Sequence, residues 1–263
     1  MLLAEIWLLG LLLIIVFVSL IWVLSVVLKN AGIIDIFWGL TFVLVTGFYF
    51  YVTPEISARK ILVSTLVAIW GLRLSVHIFM RNLGKPEDYR YQEFRRNYGE
   101  KRYWWFSYFQ VFLLQGTLAW LISTPLAAVN YYAADKPFGA IDIIALLLWL
   151  TGFIFEAGGD WQLSQFKSNP ANKGKLLQTG FWKYTRHPNY FGDAAVWWGF
   201  GLFSIAAGSW FPVFSSVLMT WLLLQVSGVA MLERTLKNTK PGYDDYVKST
   251  NAFIPWIPKR IVK

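Results

Sequence analysis

The sequence predicts an all-α integral membrane protein of about seven transmembrane helices, and three observations predict it. Of 263 residues, 56% are hydrophobic and only 15% charged, with a mean hydropathy of +0.46. Average globular chains carry roughly a quarter charged residues, and no ordinary fold of this size hides so much apolar surface from water. The uncharged residues fall in runs long enough to cross a bilayer as helices. The 15 Trp and 13 Tyr suit aromatic belts at the two membrane surfaces.

Taken in chain order, Ile6 to Leu28 is uncharged for 23 residues and forms the first span. It is too long for a signal peptide, and Glu5 precedes it where a signal would carry Lys or Arg. Ile36 to Pro54 is the second span, and Ile61 to Met80 the third, carrying Arg73 and His77. Tyr103 to Ala134 is charge-free, with the fourth span at Phe109 to Val129 and Pro125 as a kink. The fifth span is Phe138 to Phe155. Ala194 to Leu232 is uncharged for 39 residues, too long for one span, and Gly208, Ser209 and Pro212 divide it into spans six and seven. The chain reads as one membrane domain, with plain helices over residues 1–129 and a polar-rich half over 130–263.

Charge sets the orientation. Loops 29–34, 81–106, 160–188 and the tail from 233 hold twenty Lys and Arg, against three on the opposite side. The positive-inside rule then puts the N-terminus outside and the C-terminus in the cytoplasm. This asymmetry accounts for the net charge of +9 without a nucleic acid partner. The absence of Cys excludes disulfide frameworks, thiolate metal sites and a cysteine nucleophile, and no metal site is expected.

Ionisable groups within spans are expensive and are usually paired or functional. Here they collect at cytoplasmic ends. Arg73, His77 and Arg81 share one face of span three; Glu156 and Asp160 lie where span five exits; Asn189 and Asp193 lie where span six begins. Asp35, Gln115 and Glu233 complete a polar cavity open to that side. Between them, Pro188 suits the first turn of a helix whose free N–H groups favour a phosphate. Lys167, Lys183 and Arg186 supply further cations, while Trp182, Tyr184 and Tyr190 can stack on a nicotinamide or adenine ring. On chemistry alone, this basic segment suits either a large phosphorylated cofactor or lipid head groups.

The run Gly180-Phe-Trp182-x-Tyr184-x-Arg186-His187-Pro188-Asn189-Tyr190-x-Gly192-Asp193, preceded by Asp160 and an Asn-Pro step, resembles the C-terminal half of membrane sterol and steroid reductases. The tail, with Glu233-Arg234, Gly242-Tyr243-x-x-Tyr246 and Phe253-Ile254-Pro255, looks like the same group's ending. Across its length the chain is similar to the bacterial steroid 5-alpha-reductase-like family, through Asp35-x-x-Trp38-Gly39, Trp70-Gly71-x-Arg73-Leu74 and Asp88-Tyr89-Arg90-Tyr91. That resemblance implies a plasma-membrane oxidoreductase that reduces a carbon–carbon double bond of a lipid-soluble substrate with NADPH. By motif position it implies Asp160, Lys167, Tyr184, Arg186, Asn189 and Asp193 as cofactor ligands, with Trp182, His187, Tyr190, Glu233 and Tyr246 beside them. Proton-donor candidates are Asp35, His77, Tyr89 and Tyr91, and substrate contacts are expected from Trp38, Arg81 and Gln115. In steroid 5-alpha-reductases a span-two glutamate and a span-three tyrosine meet the 3-oxo group. Here span two has no glutamate, and Ile78 aligns with the tyrosine. The alternative is an S-adenosylmethionine-dependent lipid methyltransferase, since isoprenylcysteine carboxyl methyltransferases share Arg-His-Pro-x-Tyr-x-Gly. The Asn-Tyr-x-Gly-Asp form and Glu233-Arg234 favour the reductase.

Reporter fusions test the orientation directly: those placed at Lys136 and at Lys263 should report opposite sides of the membrane. Signals from one side would overturn it.

Overall fold

The computed structural model describes residues 1–132, 136–226 and 228–259; Lys263, the site of the C-terminal fusion, lies outside the described residues. Every regular element among the described residues is helical. Six segments are long and apolar enough to cross a membrane: Leu3–Leu28, Ile33–Val52, Ala58–Asn82, Glu100–Tyr132, Ala140–Ser168 and Val213–Thr239. The chain forms two compact units. One comprises residues 1–138 with 206–212, and the other 139–205 with 213–263.

In the first unit, α1 (Leu3–Leu28) buries Ile6, Gly10, Ile14, Val18, Ile21 and Ser25, a stripe at three- and four-residue spacing, and exposes most of its remaining leucines and valines. At 1.5 Å per residue its 26 residues span about 39 Å, enough for the hydrocarbon layer. Helix α2 (Ile33–Val52) starts with Asp35 in its first turn, where a carboxylate complements the helix dipole. Helix α3 (Ala58–Asn82) is capped by Ser57, whose Oγ accepts from the Lys60 N–H at 3.2 Å. The two cross with no side chain between them: a Cβ on Gly39 would lie 2.3 Å from the Gly71 carbonyl oxygen, and one on Gly71 would lie 2.6 Å from that of Gly39. Small residues of this kind let helix backbones touch where lipid gives no hydrophobic drive. Trp70, fully buried, packs edge-on against Phe42 beside the crossing.

Two cations of α3 are buried and spent on backbone. Lys60 Nζ donates to the carbonyls of Thr53 and, at 3.0 Å, Glu55. Arg59 donates to the carbonyls of Lys136 at 3.1 Å and Pro137 at 2.8 Å. The short α4 (Tyr89–Tyr98) is capped by Asp88. Helix α5 (Glu100–Tyr132) contains a π-helical turn at Tyr108–Leu113 and breaks at Ser123, before Pro125 resumes it as expected.

In the second unit, α6 (Ala140–Ser168) runs well past the boundary expected at Phe155, because nothing breaks it before Asn169-Pro170. Glu156 and Asp160 therefore lie within the helix rather than beyond it. Helix α7 (Pro188–Ala206) is present where span six was expected, but it is not among the six apolar segments; its first two turns carry Asn189 and Asp193. Gly208 takes a positive φ of 100° in the turn that separates α7 from α8 (Val213–Trp221), which continues through a π-helical turn at Leu222–Val226. Helices α9 (Val229–Thr239) and α10 (Tyr243–Ser249) follow. A Cβ on Gly152 would lie 2.6 Å from the Gly192 oxygen, and one on Gly192 2.3 Å from the Glu156 nitrogen, so α6 and α7 also touch backbone to backbone.

Gly71→Ala should lower stability by about 1–3 kcal/mol, the scale of core overpacking, because its neighbour is backbone and cannot rotate away. Gly47→Ala, also in the first unit but with nothing within 4 Å of the added Cβ, is the control and should hold or gain stability. Thermal unfolding in detergent compares them, and equal melting temperatures would sink the argument.

Candidate functional site

The polar groups assemble into one cluster in each unit. In the second unit the cluster is built where the chain enters α7. Because α6 and α7 touch at Gly152 and Gly192, Asn189 comes beside Asp160 and donates to its Oδ1 at 3.1 Å. The same packing closes the start of α7. Pro188 and the Asn189 nitrogen stand 3.1–3.3 Å from where a Gly159 Cβ would lie, so this helix start packs against α6.

Arg186 precedes that start and is only 7% exposed. Its guanidinium bonds Glu233 through Nε at 2.9 Å and through a terminal nitrogen at 2.5 Å. The other terminal nitrogen donates to the carbonyls of Val247, at 3.3 Å, and Thr250. His187, 2% exposed, places Nε2 3.3 Å from the same Glu233 oxygen, and Tyr190 stacks on its ring at 5.7 Å. The Tyr246 hydroxyl donates to the Trp182 carbonyl, while Trp182 Nε1 donates to Gly159 at 3.1 Å. Burial, with the Glu233 charge adding to it, pushes the Tyr243 hydroxyl up to about 12; burial also raises Tyr246.

The structure thus joins Arg186, His187 and Glu233 in one ionic knot, Trp182 with Tyr246, and Asp160 with Asn189. Tyr184 is 43% exposed and its carbonyl accepts from the Trp256 N–H. Lys167 is exposed near the end of α6, and Asp193 is half-buried one turn after Asn189. Arg186 is committed to internal partners, which leaves Lys167, Lys173, Lys175 and Lys183 as the exposed cations of a segment with no acid from 161 to 192. Sequence could not show that Arg186 holds the tail, because its partners lie 47 and more residues away.

The cluster in the first unit joins α2, α4 and α5. Asp35 accepts from the Tyr91 hydroxyl at 2.6 Å and from Arg90 at 2.9 Å. Arg90 also binds Asp88 at 2.9 Å, and Gln115 donates to the Tyr91 oxygen at 3.2 Å. Burial and the Asp35 carboxylate hold the Tyr91 hydroxyl well above its usual range, so it keeps its proton. Burial opposes ionisation of Asp88, but hydrogen bonds from the Arg90 side chain and backbone outweigh it and keep the carboxyl low. Alongside, Glu87 accepts from the Ala31 N–H at 2.7 Å and pairs with Arg95 at 3.1 Å, fixing the α1–α2 turn. A cleft of about 310 Å³ opens here, its lining including Ile33, Ile36, Phe79, Asn82 and Asp88.

Of the expected residues this cluster unites Asp35, Tyr91 and Gln115. Tyr89 is 55% exposed, and Arg81 is exposed with its Nε on Asn82 at 3.3 Å. His77 is half-buried on α3, and Trp38 stands edge-on to Phe42 on α2. Arg90 was missed as a site residue. The signal was Asp88-x-Arg90, an N-cap followed by a cation able to return to the capping carboxylate.

Arg186→Met should cost about 2–4 kcal/mol, since it leaves Glu233 with His187 and strands two tail carbonyls. Trypsin should then cut after Lys248 much faster. Arg186→Lys should restore little, because one ammonium cannot reproduce the fork. An unchanged melting point and unchanged proteolysis would remove the clamp.

Sequence comparisons show what the chain is similar to. The chain is 26% identical over 281 residues to an uncharacterized protein of Schizosaccharomyces pombe, covering 94% of this chain and 78% of that one. It is 25% identical over 167 residues to the Delta(14)-sterol reductase of Ascobolus immersus, covering 58% of this chain and 37% of the reductase. With the Delta(14)-sterol reductase of Arabidopsis thaliana it shares 29% identity over 92 residues, 30% of this chain and 25% of the reductase. The chain therefore matches well under half the length of either reductase. No solved structure matches it. Over residues 21–250 the sequence matches the family described as protein of unknown function DUF1295, and to that family the chain belongs.

Proposed function

We propose that this protein is an NADPH-dependent reductase of a carbon–carbon double bond in a sterol-like, steroid or isoprenoid lipid, of the kind that 3-oxo-5-alpha-steroid 4-dehydrogenases carry out. The likeness to two Delta(14)-sterol reductases carries the reading. The site chemistry supports it: the donor set of the second unit fits a phosphorylated, hydroxyl-rich cofactor. The exposed Lys167, Lys173, Lys175 and Lys183 can hold phosphates, and the Asp160–Asn189 pair offers an acceptor and an amide to hydroxyl or carboxamide groups. Trp182 and Tyr184 present ring faces. When bound, NADPH supplies a hydride.

The chain's own acid chemistry is assigned to Tyr91. Its hydroxyl keeps its proton through neutral pH, and Asp35, itself paired with Arg90, and Gln115 hold it in place. Residues 1–129 are assigned to the lipid substrate and residues 130–263 to the cofactor, in a bacterial plasma membrane with the C-terminus cytoplasmic.

Titration of detergent-purified protein with NADPH, NADH and S-adenosylmethionine in parallel tests the reading. NADPH should stabilise the protein and bind tighter than NADH, and Lys167→Gln with Lys183→Gln should narrow that preference by about tenfold. Tyr91→Phe should abolish turnover while leaving NADPH affinity unchanged. Stabilisation by S-adenosylmethionine and not by NADPH would replace the reductase with a methyltransferase.

A further inference from the structure

Beyond α10 the chain forms no helix over Asn251 to Lys259, yet it is pinned along its length. The Arg186 N–H donates to the Asn251 carbonyl at 2.9 Å, and the Thr185 hydroxyl meets the carbonyls of Ala252 and Phe253 at 3.0 and 2.8 Å. The Trp256 N–H donates to Tyr184 at 2.9 Å, and the Lys259 N–H to Ser249 at 2.8 Å. Phe253 packs edge-on to Phe191 at 6.1 Å. Pro255 and Pro258 remove two donors and prevent a helix.

A segment held this firmly would be expected to turn its apolar side chains inward. Instead Ile254, Trp256 and Ile257 are 63%, 66% and 76% exposed, outside all six apolar segments. Tyr184 beside them is 43% exposed. The sequence about them is basic: residues 250–263 contain no acid and include Lys259, Arg260 and Lys263, while the exposed Lys183 adjoins Tyr184. Tryptophan and isoleucine beside unopposed cations are what the headgroup–acyl boundary of an anionic membrane accepts. The position fits too, since the segment follows the apolar segment ending at Thr239 by only twelve residues. We infer that residues 254–257 are an interfacial anchor, with Ile254, Trp256 and Ile257 seated among lipid headgroups and Lys259 meeting lipid phosphates. The inference does not rest on the reductase reading.

The chain has no cysteine, so single cysteines can be placed cleanly. Trp256→Cys and Ile257→Cys, both at exposed positions, are labelled with a polarity-sensitive fluorophore. Asp244→Cys, exposed in the first turn of α10, is the water-facing reference. In phosphatidylcholine vesicles containing phosphatidylglycerol, a shallow doxyl lipid should quench labels at 256 and 257 at least about threefold more than the label at 244, and aqueous iodide should show the reverse order. Lys259→Gln should weaken the doxyl quenching. Equal responses at all three positions overturn the anchor. Protection from iodide without doxyl quenching overturns it as well, because a protein surface and not lipid would then cover the patch.

Discussion

Helix backbones in direct contact, with no side chain between them, are the constraint on which both units depend. Lipid gives helices no hydrophobic reason to associate, so close packing and polar satisfaction must hold them. At Gly39 and Gly71, and again at Gly152 and Gly192, the contact leaves no room for a Cβ. The consequences are local and chemical. The second crossing decides that Asn189 meets Asp160 and that Pro188 abuts Gly159, and so closes one end of α7. The motif glycines Gly39, Gly71 and Gly192 are therefore packing residues, and the polar residues near them owe their register to the contact.

Held at such distances, polar groups must find partners inside the protein, and each unit meets this need by carrying a cation to backbone carbonyls. Lys60 and Arg59 do so at the start of α3, and Arg186 does so for the tail. A guanidinium suits the task because its donors diverge: Arg186 spends one edge on Glu233 and the other on Val247 and Thr250. The tail from Tyr243 onward is thereby made part of the structure that begins α7. This brings Glu233, Tyr246 and Phe253 against residues far from them in sequence.

Much of the fold was legible because its signals are local. Charge-free runs marked the apolar segments, Pro125 marked a break, and Gly208 with Pro212 marked the end of α7. The end of α6 was not legible, since Glu156 and Asp160 read as an exit when they are turns of a helix that stops only at Pro170. The site divides in the same way. Asp160 with Asn189, and Asp35 with Tyr91, were named among the expected residues and are hydrogen-bonded pairs. Arg90's bond to Asp35 and the Arg186–Glu233 knot depend on partners 46 to 64 residues away, which spacing alone cannot reveal.

The division of cations into committed and exposed ones sharpens the electrostatic reading. Arg59 and Lys60 were two of the three charges counted against the proposed orientation, and both are buried on carbonyls rather than standing in a loop. Lys136, exposed, is then the one solvated charge among those three. Arg186 is likewise withdrawn, but Lys173, Lys175 and Lys183 are exposed along a segment without acids. Among the described residues, two cations of the smaller set are buried, and Arg186 is the buried one of the larger set. What this stretch offers to an anion in solvent or at a lipid surface is therefore exposed lysine, and the arginine of the same stretch is spent on holding the tail.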